Sequence, residues 1–138
     1  MTDIELVAQA IEAREKAYVP YSHFAVGAAL LCSDGTVYQG CNIENAAYTP
    51  SNCAERTAFF RAVFDGHRNF TAIAVVGGPA GQPISELCAP CGVCRQVMME
   101  FCNPETFRVV LAASPDESVS RTLAEILPLG FGPANLGK

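Results

Sequence analysis

Cys53-Ala54-Glu55 and Pro90-Cys91-Gly92-Val93-Cys94 combine three thiols with one carboxylate at short spacing. Soft thiolates suit zinc, and three protein ligands leave the fourth tetrahedral position of that ion open to water. Glu55 stands two residues beyond the first thiol, close enough to exchange a proton with that water without ligating the metal. Such a set can generate hydroxide at neutral pH and shuttle its proton. It can do so only if the chain folds the two motifs together.

Other chemistry fits parts of the pattern. Cys91-x-x-Cys94 alone matches a thioredoxin-like redox pair, and free cysteines are often small buried hydrophobes. Cys88 extends the run to Cys88-x-x-Cys91-x-x-Cys94, the start of an iron–sulfur pattern, although Cys102 comes too late for the usual fourth spacing. Cys88 could instead close a zinc site as a fourth thiolate, which would make it structural. Cys32, Cys41 and Cys102 fall on apolar segments, where packing accounts for them. His23 and His67 lie away from the cysteine motifs and read as surface residues.

The elements must do the positioning. Thr2 and Glu5 fit a capping box, and Ile4, Val7, Ala8, Ile11 and Tyr18 recur at helical spacing up to Pro20. Residues 26–32 and 37–41 read as antiparallel strands, joined through Ser33-Asp34-Gly35-Thr36, whose Asp-Gly supplies the positive φ of a tight turn. A second helix is expected over 53–65, with Ser51 or Asn52 as N-cap and Gly66 as terminator. Residues 70–76 and 107–112 read as buried strands, with a third helix over 91–102 between them. A last short helix is expected over 120–127, before a Pro- and Gly-rich tail. This order predicts an α/β fold with a mixed sheet and helices on both faces. If the strands before the second and third helices are parallel neighbours, both helix N-termini open at one sheet edge, where ligands bind in open α/β sheets. Their partial positive charge would stabilise thiolates.

Composition narrows the partners. A chain of 138 residues, half of them hydrophobic, is expected to form one domain over 1–138 with a substantial core. A net charge of −5 offers no basic footprint for nucleic acid polymers or anionic membranes. Seven cysteines cannot all pair within the chain, and a domain of this size does not need disulfides. The start, Met1-Thr2-Asp3 followed by Glu12, Arg14, Glu15 and Lys16, is unlike a secretory leader, and no apolar run reaches the roughly 18 residues of a membrane span. The expectation is a cytoplasmic protein with reduced thiols.

Cys-Ala-Glu followed by Pro-Cys-x-x-Cys resembles the signature of zinc nucleoside and nucleobase deaminases, with Cys in place of the commoner His. Four longer segments sharpen the resemblance: Tyr18-Val-Pro-Tyr-Ser-His-Phe-Ala-Val-Gly-Ala-Ala-Leu, Gly40-Cys-Asn-Ile-Glu-Asn-Ala-Ala-Tyr48, Pro90-Cys-Gly-Val-Cys-Arg-Gln96 and Leu127-Pro-Leu-Gly-Phe-Gly-Pro133. Together they are similar to the short, homotetrameric cytidine deaminases, from about residue 3 to residue 136.

The resemblance implies a three-layer α/β/α fold with about five strands. It implies hydrolysis of cytidine or 2′-deoxycytidine to uridine or 2′-deoxyuridine and ammonia, in pyrimidine salvage. Cys53, Cys91 and Cys94 would hold one Zn²⁺ per subunit, whose hydroxide attacks C4 of the cytosine ring. Glu55 would take the water's proton, deliver it to ring N3 and later protonate the leaving amine. Asn42 and Glu44 match positions that bind the ribose hydroxyls, Phe24 an aromatic beside the ring, and Ala54 a backbone contact to the pyrimidine. Tyr48 and Phe131 match positions that complete sites between neighbouring subunits of the homotetramer. Two alternatives are a deaminase of a modified cytosine nucleoside such as blasticidin S, and a structural zinc or iron–sulfur interaction module. Asn42-Ile43-Glu44-Asn45 favours an unmodified nucleoside.

Charge adds one expectation of its own. Zinc with three thiolates carries net −1, which disfavours making hydroxide. Arg56, adjacent to Glu55, is the leading candidate to donate to a ligand sulfur, whereas Arg95 reads as a surface or interface charge.

Overall fold

The computed structural model describes residues 1–138. Helix α1, Asp3–Arg14, opens on the expected capping box: Thr2 Oγ1 accepts from the Glu5 amide and Glu5 accepts from the Thr2 amide, both at 3.1 Å. It ends earlier than the pattern suggested, and its inward stripe is Leu6, Val7, Ala10, Ala13 and Arg14; Ile4 and Ala8 face water. Arg14 is the unexpected member. Its buried guanidinium donates to the carbonyls of Ala25 (3.0 Å), Gln82 (2.8 Å) and Pro79 (2.6 Å), which satisfies it without a carboxylate.

Five strands form one sheet in the order β2-β1-β3-β4-β5. Strands β1 (Phe24–Cys32) and β2 (Val37–Cys41) make the expected hairpin, with Leu31 opposite Val37 and Gly27 opposite Cys41. Strand β3 (Phe70–Pro79) runs antiparallel to β1, and β4 (Arg108–Ser114) runs parallel to β3. Strand β5 (Glu117–Thr122) returns antiparallel to β4. Here the helix expected over 120–127 is corrected: residues 120–122 complete β5, and helix α4 is only Leu123–Ile126. Glu-Ser-Val-Ser-Arg-Thr has no apolar face because β5 is a solvated edge, so periodicity gave no signal.

Helix α2 (Ala54–Phe64) follows β2, and helix α3 (Gly92–Phe101) follows β3. Strands β2 and β3 are not the parallel neighbours on which convergence of the two helix starts was made conditional. They flank β1, which is antiparallel to both, so they still run in the same direction and deliver both helix starts to one end of the sheet.

The three layers follow from alternation on β3. Ala72, Ala74 and Val76 pack with Leu6, Val7 and Ala10 of α1, while Ile73 and Val75 pack with Ala58, Phe59 and Met98 of α2 and α3 on the other face. Burial on both faces makes β3 a continuous apolar run. Phe59 meets Phe70 edge-on at 5.1 Å and lies 6.1 Å from both Phe101 and Phe107, locking α2 against α3, β3 and the entry to β4. At Gly40 a Cβ would stand 2.3 Å from the Ala54 carbonyl, so only glycine lets the first turn of α2 sit on β2. No helix is long and apolar enough to cross a membrane.

Candidate metal centre and active site

Cys53 is itself the N-cap of α2, and Cys91 is the N-cap of α3. Neither Ser51 nor Asn52 caps α2; Asn52 Nδ2 donates instead to Thr57 Oγ1 at 3.1 Å. No side chain takes the first N–H groups of either helix, so two positive helix ends face the thiols. Cys94 lies in the first turn of α3 and is buried, Cys53 is half-buried and Cys91 is exposed.

The Cys53 and Cys91 sulfurs are 3.7 Å apart, those of Cys91 and Cys94 are 3.5 Å apart, and all three lie within 4.8 Å of one another. Zinc–sulfur bonds of about 2.3 Å at tetrahedral angles require sulfurs about 3.8 Å apart, so the donor set fits that ion with small rotations. The Arg56 guanidinium and the two helix ends favour a thiolate in the cluster. The Cys53 thiol is pulled down to about 5, first by a hydrogen bond from Cys94 and then, against burial, by Arg56 and Cys91. Cys94 is held above the ordinary thiol range by that same bond, by burial and by Glu55. Further ionisation therefore awaits a cation.

Arg56 Nη2 donates to Cys53 Sγ at 3.1 Å. Its Nε is buried without a partner, so the guanidinium is held toward the sulfurs at the expense of one of its own donors. Arg95 is not a free surface charge. Its Nε donates to the Pro90 carbonyl at 2.9 Å and its Nη1 to the Ile126 carbonyl, tying the start of α3 to the end of α4.

Glu55 is 3% exposed and makes no salt bridge. Desolvation, with the Cys53 charge adding to it, raises its carboxyl to about 7. A group with that pKa can accept and return a proton near neutral pH. Cys88 does not join the three-sulfur cluster. Its sulfur occupies the space where a Cβ on Gly77 would come within 2.7 Å, and burial, with the Glu55 and Cys53 charges, pushes the thiol up to about 11. A glycine inside a strand marks close approach of another group, and Gly77 carries that signal for Cys88.

Two concavities border this region. One of about 320 Å³ is lined by Phe24, Gly77, Gly78, Leu87 and Cys88, among others. Another of about 340 Å³ is lined by Tyr21, Ser22, Glu44, Asn45, Tyr48 and Ser51. The largest hollow, about 480 Å³ between Ile43, Phe60 and Phe64, lies on the outer side of α2 and contains none of the thiols.

Asn42 bridges the start of β1: its Oδ1 accepts from the Val26 amide at 2.9 Å and its Nδ2 donates to the Phe24 carbonyl at 2.8 Å. Glu44 accepts from the amides of Tyr21 (3.0 Å) and Ser22 (3.1 Å) and from the Ser22 hydroxyl. These bonds hold its carboxyl below the usual carboxylate range. Tyr18 and Asn52 bracket Ile43 through backbone bonds, which carries this loop directly into Cys53. Ala54 is fully buried at the head of α2. Phe24 is exposed, Tyr48 is 92% exposed, and Phe131 is exposed in a tail held by Gln96 Nε2 donating to its carbonyl at 2.8 Å. The structure thus gathers the three thiols, Glu55 and Arg56, and sets Phe24, Asn42 and Glu44 on the adjoining loop and strand. Tyr48 and Phe131 make no comparable contact with the cluster.

Comparisons with known proteins agree with this arrangement. Residues 1–111 match the family model of the cytidine and deoxycytidylate deaminase zinc-binding region. A cytidine deaminase of Sporosarcina psychrophila is 54% identical over 135 residues, covering 97% of this chain and 95% of its own. The crystal structure of cytidine deaminase from Burkholderia pseudomallei superposes with a TM-score of 0.85 at 49% identity, covering 95% of this chain and all of that one. A blasticidin-S deaminase of Bacillus cereus is more distant, 30% identical over 94% of this chain and 91% of its own.

Proposed function

Because the chain belongs to the cytidine and deoxycytidylate deaminase family, we propose that it hydrolyses cytidine and 2′-deoxycytidine to uridine or 2′-deoxyuridine and ammonia. The observation that carries this reading is the convergence of three thiols beside a buried carboxyl whose pKa is near 7. Cys53, Cys91 and Cys94 hold the zinc ion. When bound, zinc supplies Lewis acidity that makes a water nucleophilic at neutral pH.

The chain's own residues do the rest. Glu55 accepts a proton from the water that adds to C4 of the ring and hands it to N3; it then takes the remaining proton of the added hydroxyl and gives it to the amine, which leaves as ammonia as the C4–N bond breaks and the C4 carbonyl forms. One carboxyl serves both steps because its pKa lies close to the working pH. Arg56 offsets thiolate charge through its bond to Cys53, which favours ionisation of the water. Asn42 and Glu44 take the ribose hydroxyls. Asn42 has used only one of its two N–H donors and one of its two lone pairs on β1, so it can still bind a hydroxyl while remaining fixed. Phe24 packs against the base, and the Ala54 backbone contacts it.

The exposed rings of Tyr48 and Phe131, with Leu129 and Leu136 also in water, support a homotetramer in which neighbouring subunits complete each site. The same reading takes residues 1–138 as one catalytic domain acting in the cytoplasm in pyrimidine salvage, without a nucleic acid or membrane partner. Mixing the zinc-loaded protein with cytidine should abolish the cytosine absorbance band, with one zinc per chain by metal analysis. A persistent band in zinc-replete protein would reject the activity, and a light-scattering mass of one subunit would reject the shared site.

A further inference from the structure

We propose that Cys32, Asp34 and His67 form a second metal site, at the end of the β1–β2 hairpin, for a thiophilic divalent cation of the zinc type. Their ligand atoms lie within 4.8 Å of one another, and Asp34 Oδ2 is 3.7 Å from His67 Nδ1. Asp34 and His67 approach as an ion pair, at a separation too long for a hydrogen bond.

The backbone brings them together. The β1–β3 register slips between Leu31, which faces Ala72, and Cys32, which faces Phe70, leaving Thr71 of β3 as the extra residue where the hairpin end meets the loop after α2. Asp34 Oδ1 accepts the Thr36 amide at 3.0 Å, which fixes the carboxylate in the turn while Oδ2 approaches the imidazole. His67 is anchored at both backbone ends: its amide donates to the Ala62 carbonyl at 3.0 Å, and its carbonyl accepts from Arg68 at 2.8 Å. The Tyr38 ring meets the imidazole edge-on at 5.3 Å, and the Ser33 amide bonds the Asn69 carbonyl at 2.9 Å, tying the hairpin to the loop after α2.

Donor chemistry selects the ion. One thiolate, one imidazole and one carboxylate match zinc and disfavour magnesium or calcium, which take all-oxygen shells. A simple ion pair would account for Asp34 and His67, and packing for the body of Cys32, but neither requires the thiol to stand within 4.8 Å of both ligand atoms. Cys32 is buried, His67 half-buried and Asp34 exposed, so the site grades from core to water and leaves a solvent-facing position for a fourth ligand. On binding, the Cys32 S–H bond breaks, its proton passes to solvent, and a sulfur–metal bond forms. The ion would clip the hairpin to the end of α2, away from the Cys53–Cys91–Cys94 centre.

Equilibrium dialysis of the zinc-loaded protein against micromolar free Zn²⁺, followed by metal analysis, tests the site. The expected result is two zinc equivalents per chain in the wild type and one in both Cys32→Ser and His67→Ala, with cytidine turnover unchanged in His67→Ala. Because Cys32 is a core residue, the loop variant His67→Ala carries the decision if Cys32→Ser fails to fold. One equivalent in the wild type, or two retained in His67→Ala, would overturn the proposal.

Discussion

Glu55 and Glu44 are both carboxylates of the proposed site, and the fold treats them in opposite ways. Glu55 sits at the head of α2, buried, with no cation paired to its carboxyl, and its pKa rises to about 7. Glu44 sits on the loop after β2, half-buried, with three donors from Tyr21 and Ser22 on its oxygens, and its pKa falls. The first is therefore ready to exchange a proton near neutral pH, while the second is a permanent anion and acceptor. One residue type thus supplies a proton carrier and a substrate clamp, and the environment alone separates the roles.

The comparison breaks most visibly at Glu55. Glu55→Gln should fold and keep its zinc while kcat falls at least about 10³- to 10⁴-fold, because both proton steps lose their carrier. Steady-state deamination with metal analysis checks this, and substantial residual turnover would reject the assignment.

The two carboxyls should also pull stability in opposite directions with pH. The raised pKa of Glu55 means that its contribution is complete below the ordinary value of 4.5 and is lost as pH rises through about 7. In metal-stripped protein, Glu55→Gln should therefore gain on the wild type by up to about 3 kcal/mol between about pH 5 and about pH 8, read by denaturant unfolding. The lowered pKa of Glu44 gives the reverse sign: its contribution is present above the usual carboxylate range and is lost as pH falls through its depressed value. A Glu55→Gln gain that did not grow with pH would contradict the buried, unpaired environment.

Smaller effects sharpen the contrast. Glu44→Gln should lower kcat/KM about 10- to 100-fold, mainly through KM, since charged hydrogen bonds contribute about 1.5–3 kcal/mol. A fall confined to kcat would move Glu44 into the chemistry. Arg56→Ala should keep the fold, weaken zinc binding roughly tenfold or more and shift the pH–rate profile upward. Unchanged metal affinity together with an unchanged profile would remove Arg56 from the site. Cys88→Ser should change least, retaining one zinc equivalent at the thiol centre; loss of that zinc would restore the four-thiolate alternative.

Much of the site was legible because it is written in local chemistry. The capping box at Thr2 and Glu5, the strand over 37–41, the Asp-Gly turn and the two cysteine motifs each depend on residues a few positions apart. The misses share the opposite property. Strand β5 exists because β4 offers it an edge, the inward face of α1 because Arg14 finds three distant carbonyls, and the clamp on Glu44 because the loop before β1 folds over it. Cys32, Asp34 and His67 read separately as packing, turn and surface residues, and only the docking of the β1–β2 hairpin against the loop after α2 makes them a group.

The sequence by itself determined the donor types, their protonation chemistry and the caps that start the helices, since these reside in single side chains and their nearest neighbours. Only the tertiary structure decided that β1 separates two strands of like direction, that their following helices converge, and that Glu55 is buried without a counter-ion beside the sulfurs. Those are properties of non-local contact and low local dielectric, and they turn three thiols and a carboxylate into a reaction centre.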